Sequence, residues 1–373
     1  MMRSLEAAMI RRLFLLCSAV LLGAVPALAG ETRVVTDALG RQVTIPAKVE
    51  RVICSGSGCL RLLTYLQAQN LAVAVDDIEG KRNQFDARPY AIANPGFRDL
   101  PVFGQFRGED NPERILSLAV QPQVILKVNP EMGTNPVDLE RKTGIPVVVL
   151  RYGDLGRKRP EFYAALRLVA QVTDRAERAE AVIHFFDARI EELGRRVAGM
   201  PDSAKPRVYV GGVAYKGPQG FHSTEPGYPP FLFLNARNVA AEGALTPGQT
   251  VVAKEKIVEW NPDALFLDLA TLQLGEDAGG LHELKTDPAY QTLDAVKTGR
   301  VYGLLPYNWY SQNYGSILAD AYYVGKVLQP ERFQDVDPAV EADAIYSFLV
   351  GKPVFEEMNR RFGGMAFKPV PLR

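Results

Sequence analysis

The chain has 373 residues, enough for about two domains of ordinary size. Hydrophobic residues make up 47% and charged residues 23%, a soluble globular mixture rather than a disordered or membrane-embedded one. Lys+Arg and Asp+Glu balance at 43 each, and the absence of any dense basic run argues against nucleic acid as a partner.

In chain order, Arg11-Arg12 precedes an apolar run from Leu13 to Val25, and Pro26-Ala27-Leu28-Ala29 ends on an Ala-x-Ala site. This pattern predicts a secretory signal over residues 1–29, cleaved after Ala29. The run falls short of the roughly 20 residues that a membrane span needs. Cys17 has no small residue before it, so a lipoprotein is not expected and Cys17 leaves with the signal. The remaining cysteines, Cys54 and Cys59, could pair in an oxidising compartment. The competing expectation is two buried free thiols, one ending a strand and one inside a helix.

Val34 to Ile45 alternates around Asp37 and Gly40, as a hairpin does. Arg51 to Cys54 reads as a buried strand, Ser55-Gly56-Ser57-Gly58 as a loop, and Cys59 to Gln67 as a helix. Leu71 to Val75 is the next strand. Strands alternating with helices predict parallel sheets. A repeat then divides the chain. Pro112-Glu113-Arg114-Ile115-Leu116 followed by Gln121-Pro122-Gln123-Val124-Ile125-Leu126 matches Lys254-Glu255-Lys256-Ile257-Val258 followed by Asn261-Pro262-Asp263-Ala264-Leu265-Phe266. Further on, Lys142-Thr143-Gly144 matches Lys297-Thr298-Gly299. The shared order predicts two α/β lobes of like topology.

Between the halves no Gly or Pro interrupts residues 161 to 193, which predicts a stiff helical connector and small lobe motion. Asp174-Arg175-Ala176-Glu177 has the spacing of a capping box. Val182, Phe186, Ile190, Leu193 and Val197 form an amphipathic stripe.

Val35-Thr36-Asp37-Ala38-Leu39-Gly40-Arg41, then Ile45-Pro46 and Glu50-Arg51-Val52-Ile53, resembles the opening of periplasmic binding proteins that serve iron–siderophore, haem and cobalamin ABC importers. The likeness continues through Asn111 to Ile115, Lys142 to Val149 and Tyr307 to Tyr310. The resemblance implies an α/β fold of two lobes with parallel central sheets, joined by one long connector helix. Its lobes would span 30–159 and 201–373, with the connector over 160–200. It also implies a monomer without cofactor or catalysis, docking on an ABC permease and its ATPase through one glutamate per lobe. The matching positions are Glu113 and Glu255, which the repeat places in equivalent units. A first-turn acid also stabilises a helix through its dipole, and both roles are compatible.

Ligands of open α/β sheets bind beyond the strands' carboxyl ends. That rule selects Ser55, Gly56, Ser57, Gly58 and Cys59, with Arg61 one turn on, as an anion-binding helix start. It also selects Asn129-Pro130-Glu131, Tyr152 and Val213 to Lys216. In the second half, Tyr215, Lys216, His222, Ser223, Thr224, Glu225 and Tyr228 lie in a Gly/Pro-rich loop, with Tyr215, His222 and Glu225 as candidate metal ligands. Tyr307, Asn308, Trp309 and Tyr310 follow the strand Val301 to Leu305 and suit a pocket wall. His184, on the connector, reads as structural, and His282 falls in a later helical segment with no obvious partner. The expected ligand is a ferric siderophore-like metal chelate; molybdate or tungstate, haem and cobalamin are the alternatives. A rival NAD-enzyme reading rests on Gly56-Ser57-Gly58 with Asp76 about 20 residues on, but Arg61 stands where the third glycine belongs.

Overall fold

The computed structural model describes residues 31–81, 84–242 and 248–372. The expected signal over residues 1–29, with Cys17, lies outside them. The predicted hairpin forms from β1 (Thr32–Thr36) and β2 (Gln42–Pro46). Its turn is held by Asp37, whose Oδ1 accepts from the backbone N–H groups of Leu39 and Arg41, while Oδ2 accepts from Arg41 Nε at 2.8 Å.

The first lobe is built on a six-stranded sheet of β3 (Val52–Ser55), β4 (Ala72–Asp76), β5 (Val102–Gln105), β6 (Glu109–Asp110), β7 (Val124–Val128) and β8 (Val147–Leu150), in the order β6-β5-β4-β3-β7-β8. All neighbours pair in parallel except β5 and β6. Strands β3, β7 and β8 are buried at every residue, which explains their unbroken apolar runs: a parallel sheet is covered on both faces. Lys127 is the exception inside β7. Fully buried, it donates to Asp110 Oδ2 at 2.6 Å, Gly108 O at 2.9 Å and Ser55 Oγ at 3.2 Å, so its three protons are all engaged.

The second lobe has β9 (Arg207–Gly211), β11 (Arg237–Asn238), β13 (Ala264–Asp268) and β14 (Val301–Leu304) in the order β11-β9-β13-β14, all parallel. A small antiparallel pair, β10 (Ser223–Thr224) with β12 (Thr250–Val251), lies beside it. The repeat now has a physical form. In each lobe a first strand, β3 or β9, pairs with the repeat strand, β7 or β13, which pairs with β8 or β14. The matched glutamates sit in the first turns of the equivalent helices α2 (Pro112–Leu116) and α5 (Lys254–Trp260), following α1 (Cys59–Tyr65) and the connector helices described next. The matched glycines, Gly144 and Gly299, have φ of 69° and 70°, so each lets a helix end in a left-handed turn just before its strand.

One long helix joins the lobes, as expected, but the helical region that contains it is not continuous. It is a pair, α3 (Arg159–Thr173) and α4 (Ala176–Val197), broken at Asp174, which takes φ 56°. The capping box does not form: Asp174 pairs instead with Arg33 at 3.0 Å, and Arg175 begins α4 without a side-chain cap. Arg167 reaches Glu180 and Tyr163 reaches Asp187, so the two helices run antiparallel. Helix α4, about 33 Å long at 1.5 Å per residue, spans the lobes and buries Val182, Phe186, Leu193 and Val197 from the predicted stripe. Two later helices, α6 (Tyr314–Leu328) and α7 (Pro338–Val350), extend this layer. From the α7 region Phe348 O accepts from Arg178, and Lys352 donates to Ala93 O of the first lobe. One apolar core accordingly runs through both lobes. Among the described residues no helix is long and apolar enough to cross a membrane.

Candidate functional site

The carboxyl ends of the parallel strands in both lobes face one cleft, and the segments walling it come from loops beyond those ends. Phe106 and Arg107 follow β5, Asn129–Glu131 follow β7, and Arg151–Lys158 follow β8. From the second lobe come Ala214 to Pro218 after β9, Gln273 beyond β13 and Tyr307–Gln312 after β14. Three cavities occupy this cleft. The first, about 600 Å³, is lined by Asp154, Arg157, Tyr215, Glu225, Leu232, Tyr307 and Asn308, among others. The second, about 400 Å³, lies between Asn129, Glu131, Arg151, Lys158, Ser311 and Gln312. The third, about 380 Å³, is walled by Ser57, Phe106, Arg107, Met132, Lys216, Trp309 and Tyr310. The segment Tyr307–Gln312 borders all three.

That segment is a tight loop. Tyr310 and Ser311 both have positive φ, 49° and 72°, and Trp309 N donates to Ser311 O at 3.2 Å. Asn313 closes its base by donating from Nδ2 to Tyr307 O and Trp309 O. Asn308 Nδ2 donates to Ala214 O at 2.7 Å, joining it to the loop after β9. Tyr310 leans edge-on against Phe106 of the first lobe, ring centroids 5.1 Å apart, with Arg88 over its ring.

Charge is unevenly matched in the cleft. Arg107, Arg157, Lys158 and Lys216 line it, and none forms an ion pair among the described residues. Arg151 pairs with Glu131 at 3.2 Å. Asp154 is occupied by the backbone N–H groups of Gly156 and Lys158. In the wall of the largest cavity Tyr307 donates its hydroxyl proton to Glu225 Oε2. Burial pushes the Glu225 carboxyl up to about 7; the Tyr307 hydrogen bond opposes this and Asp154 adds to it. Beneath lie Asp268 and Asp320, both fully buried. Burial raises both, Asp268 to about 8 and Asp320 well above the usual carboxylate range.

The structure distributes the sequence-selected residues unequally. Ser57, Tyr215, Lys216, Glu225, Tyr307, Asn308, Trp309 and Tyr310 line the large cavities. The turn before α1 is not an open anion site: Gly56 N already donates to Asp76 Oδ2 at 3.1 Å, placing a carboxyl where an anion or a dinucleotide phosphate would sit. Ser55 and Cys59 are buried outright, and the Gly56 and Gly58 positions open only on a void of about 10 Å³. A Cβ on Gly58 would overlap the Tyr152 ring, so that glycine serves close packing. Arg61 is 1% exposed and cannot reach a ligand in the cleft. Cys54 and Cys59 are buried free thiols. Ser223 and Tyr228 are also buried, inside the second lobe. His222 does not line the cavity that Tyr215 and Glu225 share, so the three candidate metal ligands do not converge. The reason is local, since His222 leads into β10 and its carbonyl accepts from Val252 N. Sequence reasoning missed Phe106, Arg107, Asp154, Arg157, Lys158 and Gln312. A usable signal existed for two of them, because Arg157 and Lys158 lie in the loop beyond the carboxyl end of an apolar strand.

A family model described as periplasmic binding protein matches residues 52–307. The chain belongs to that family. Its members here are of the helix-bridged class, and the family is one of solute-binding proteins rather than enzymes. The chain is similar to the molybdate-binding protein MolA of Haemophilus influenzae, 25% identical over 334 residues that cover 82% of this chain and 87% of that protein. A shorter match, 22% identical over 147 residues, joins it to an iron-uptake system-binding protein of Bacillus subtilis, covering 37% and 43% of the two chains. Among solved structures, a periplasmic solute-binding protein of Veillonella parvula superposes with a TM-score of 0.67 at 20% identity, over 88% of this chain and 96% of that one. At that identity the superposition speaks for the fold alone. The chain is therefore an extracytoplasmic solute-binding protein of the kind that serves ABC transporters.

Proposed function

We propose that the chain captures a negatively charged metal chelate of the ferric-siderophore type around the Tyr307–Gln312 loop. Delivery to an ABC permease would go through Glu113 and Glu255. The observation that carries this reading is the cleft itself. Its cavities of about 380 to 600 Å³ fall in the range of organic-ligand sites and far exceed a four-oxygen anion. Aromatic walls at Phe106, Trp309 and Tyr310 suit the organic part, and Arg107, Arg157, Lys158 and Lys216, without ion pairs among the described residues, suit its charge.

A second reading, molybdate or tungstate, is favoured by the likeness to MolA over most of the chain. Calorimetry of the mature protein against ferric catecholates and hydroxamates, haem, cobalamin, molybdate and tungstate separates the two. One-to-one saturable binding of a ferric chelate is expected. Saturation by molybdate with no response to the chelates would transfer the assignment to the oxyanion. Silence across the panel would end both.

A further inference from the structure

Arg61 is the largest polar side chain enclosed between the lobes, and what surrounds it is unusual. It sits on α1 of the first lobe, 1% exposed, with no ion-pair partner among the described residues. A guanidinium taken out of water needs compensation. Part of it comes from aromatic faces, with Tyr90 at 5.1 Å and Tyr152 at 5.8 Å from its central carbon. The rest comes from the second lobe: Nη1 donates to Gln312 O at 2.7 Å and Nη2 to Trp309 O at 3.4 Å, nearly 250 positions away in sequence. Nη1 also donates to the Tyr152 hydroxyl, which itself donates to Gln312 O at 2.8 Å. Tyr152 is in turn fixed from below, its carbonyl accepting from the Tyr314 hydroxyl at 2.8 Å.

The two carbonyls Arg61 grips bracket Tyr310 and Ser311, the residues with positive φ. Side-chain-bearing residues hold that conformation only where their surroundings enforce it. Asn313 and the Trp309–Ser311 bond hold the loop from within its own lobe, Arg61 adds a grip from the opposite lobe, and the loop borders every cavity of the cleft.

We propose that Arg61 is a positioning residue for ligand recognition: from the first lobe it clamps the Trp309 and Gln312 carbonyls, and so sets the loop whose side chains wall the cleft. Arg61 itself touches no ligand. The part concerning affinity rests on the functional reading above, whereas the clamp does not, and the experiment keeps them apart.

The chain has two tryptophans, Trp260 and Trp309, so Trp260→Phe leaves a single reporter inside the loop. In that background Arg61→Met should shift Trp309 emission to longer wavelength and raise its quenching by acrylamide, while far-UV circular dichroism stays folded. Arg61→Lys, which keeps the charge and a donor group at a single point, should recover part of the change, and Tyr152→Phe should give a smaller change of the same sign. Affinity for a ferric tris-catecholate should fall about tenfold or more in Arg61→Met. A purely structural arginine would lower the melting temperature and leave both the folded-state emission and the affinity alone, which overturns the proposal. So does a released Trp309 with undiminished affinity. If the parent protein binds no ferric chelate, the functional reading fails instead, and the Trp309 response by itself decides on the clamp.

Discussion

At the residue scale, Glu225 is the group whose environment most changes its chemistry. Its carboxyl, in the wall of the largest cavity, is held up at about 7 chiefly by burial. Tyr307, Tyr228, Asp154 and Asp268 are the titratable groups facing it, and Arg157 is the cation lining the same cavity. The sign of the pH effect follows. Between the usual carboxyl range and 7 the folded protein holds a proton that the unfolded chain has released. The stabilising contribution is thus complete below the unfolded pKa and is lost as pH rises through 7. Glu225→Gln cannot ionise and should flatten the decline of the melting temperature across that window. In the same window a newly ionised carboxylate faces the cavity, so affinity for an anionic chelate should fall with rising pH in the parent. It should stay level in Glu225→Gln, as calorimetry at several pH values would record.

At the element scale, the cleft depends on where strand ends are pinned. The β5–β6 turn that carries Phe106 and Arg107 is anchored to β7 by the enclosed Lys127–Asp110 pair, 2.6 Å apart and wholly out of water. Removing one partner of such a pair leaves an uncompensated charge, at a cost of about 3–5 kcal/mol. Lys127→Met should therefore lower unfolding stability by that order in a denaturant titration. Lys127→Met combined with Asp110→Leu should recover much of the loss. If the single change leaves the denaturation midpoint in place, the pair is not what holds the turn. The connector belongs to this scale as well: its break at Asp174 sends α3 back along the first lobe and leaves α4 to make the crossing.

At the scale of the whole molecule, the two lobes present matching exposed acids. Glu113 and Glu255 each occupy the first turn of the helix preceding the repeat strand, and neither forms an ion pair among the described residues. Reversing both charges, Glu113→Lys with Glu255→Lys, should abolish importer-dependent uptake while ligand affinity stays within about twofold. A parallel loss of affinity would show that these glutamates do more than dock. The apolar core shared by the lobes and the contacts of α6 and α7 with the first lobe support a cleft of limited opening.

The sequence by itself determined the elements and their duplication. Apolar runs, the Pro-led strands and the Lys-Thr-Gly helix ends are local signals, and each half spells them in the same order. The equivalent helix positions of Glu113 and Glu255 were legible for the same reason, being fixed within a repeated unit. Tyr307 to Tyr310 were legible because a strand's carboxyl end predicts a wall. What the tertiary structure alone decided is which strand ends face open space. The Ser55–Gly58 turn has the local form of an anion site, yet Asp76 from the neighbouring strand already fills it. Arg61 reads as a ligand contact until carbonyls some 250 residues away close over it. Pairings between such distant positions depend on how the lobes pack, and nothing in the local residue pattern encodes that.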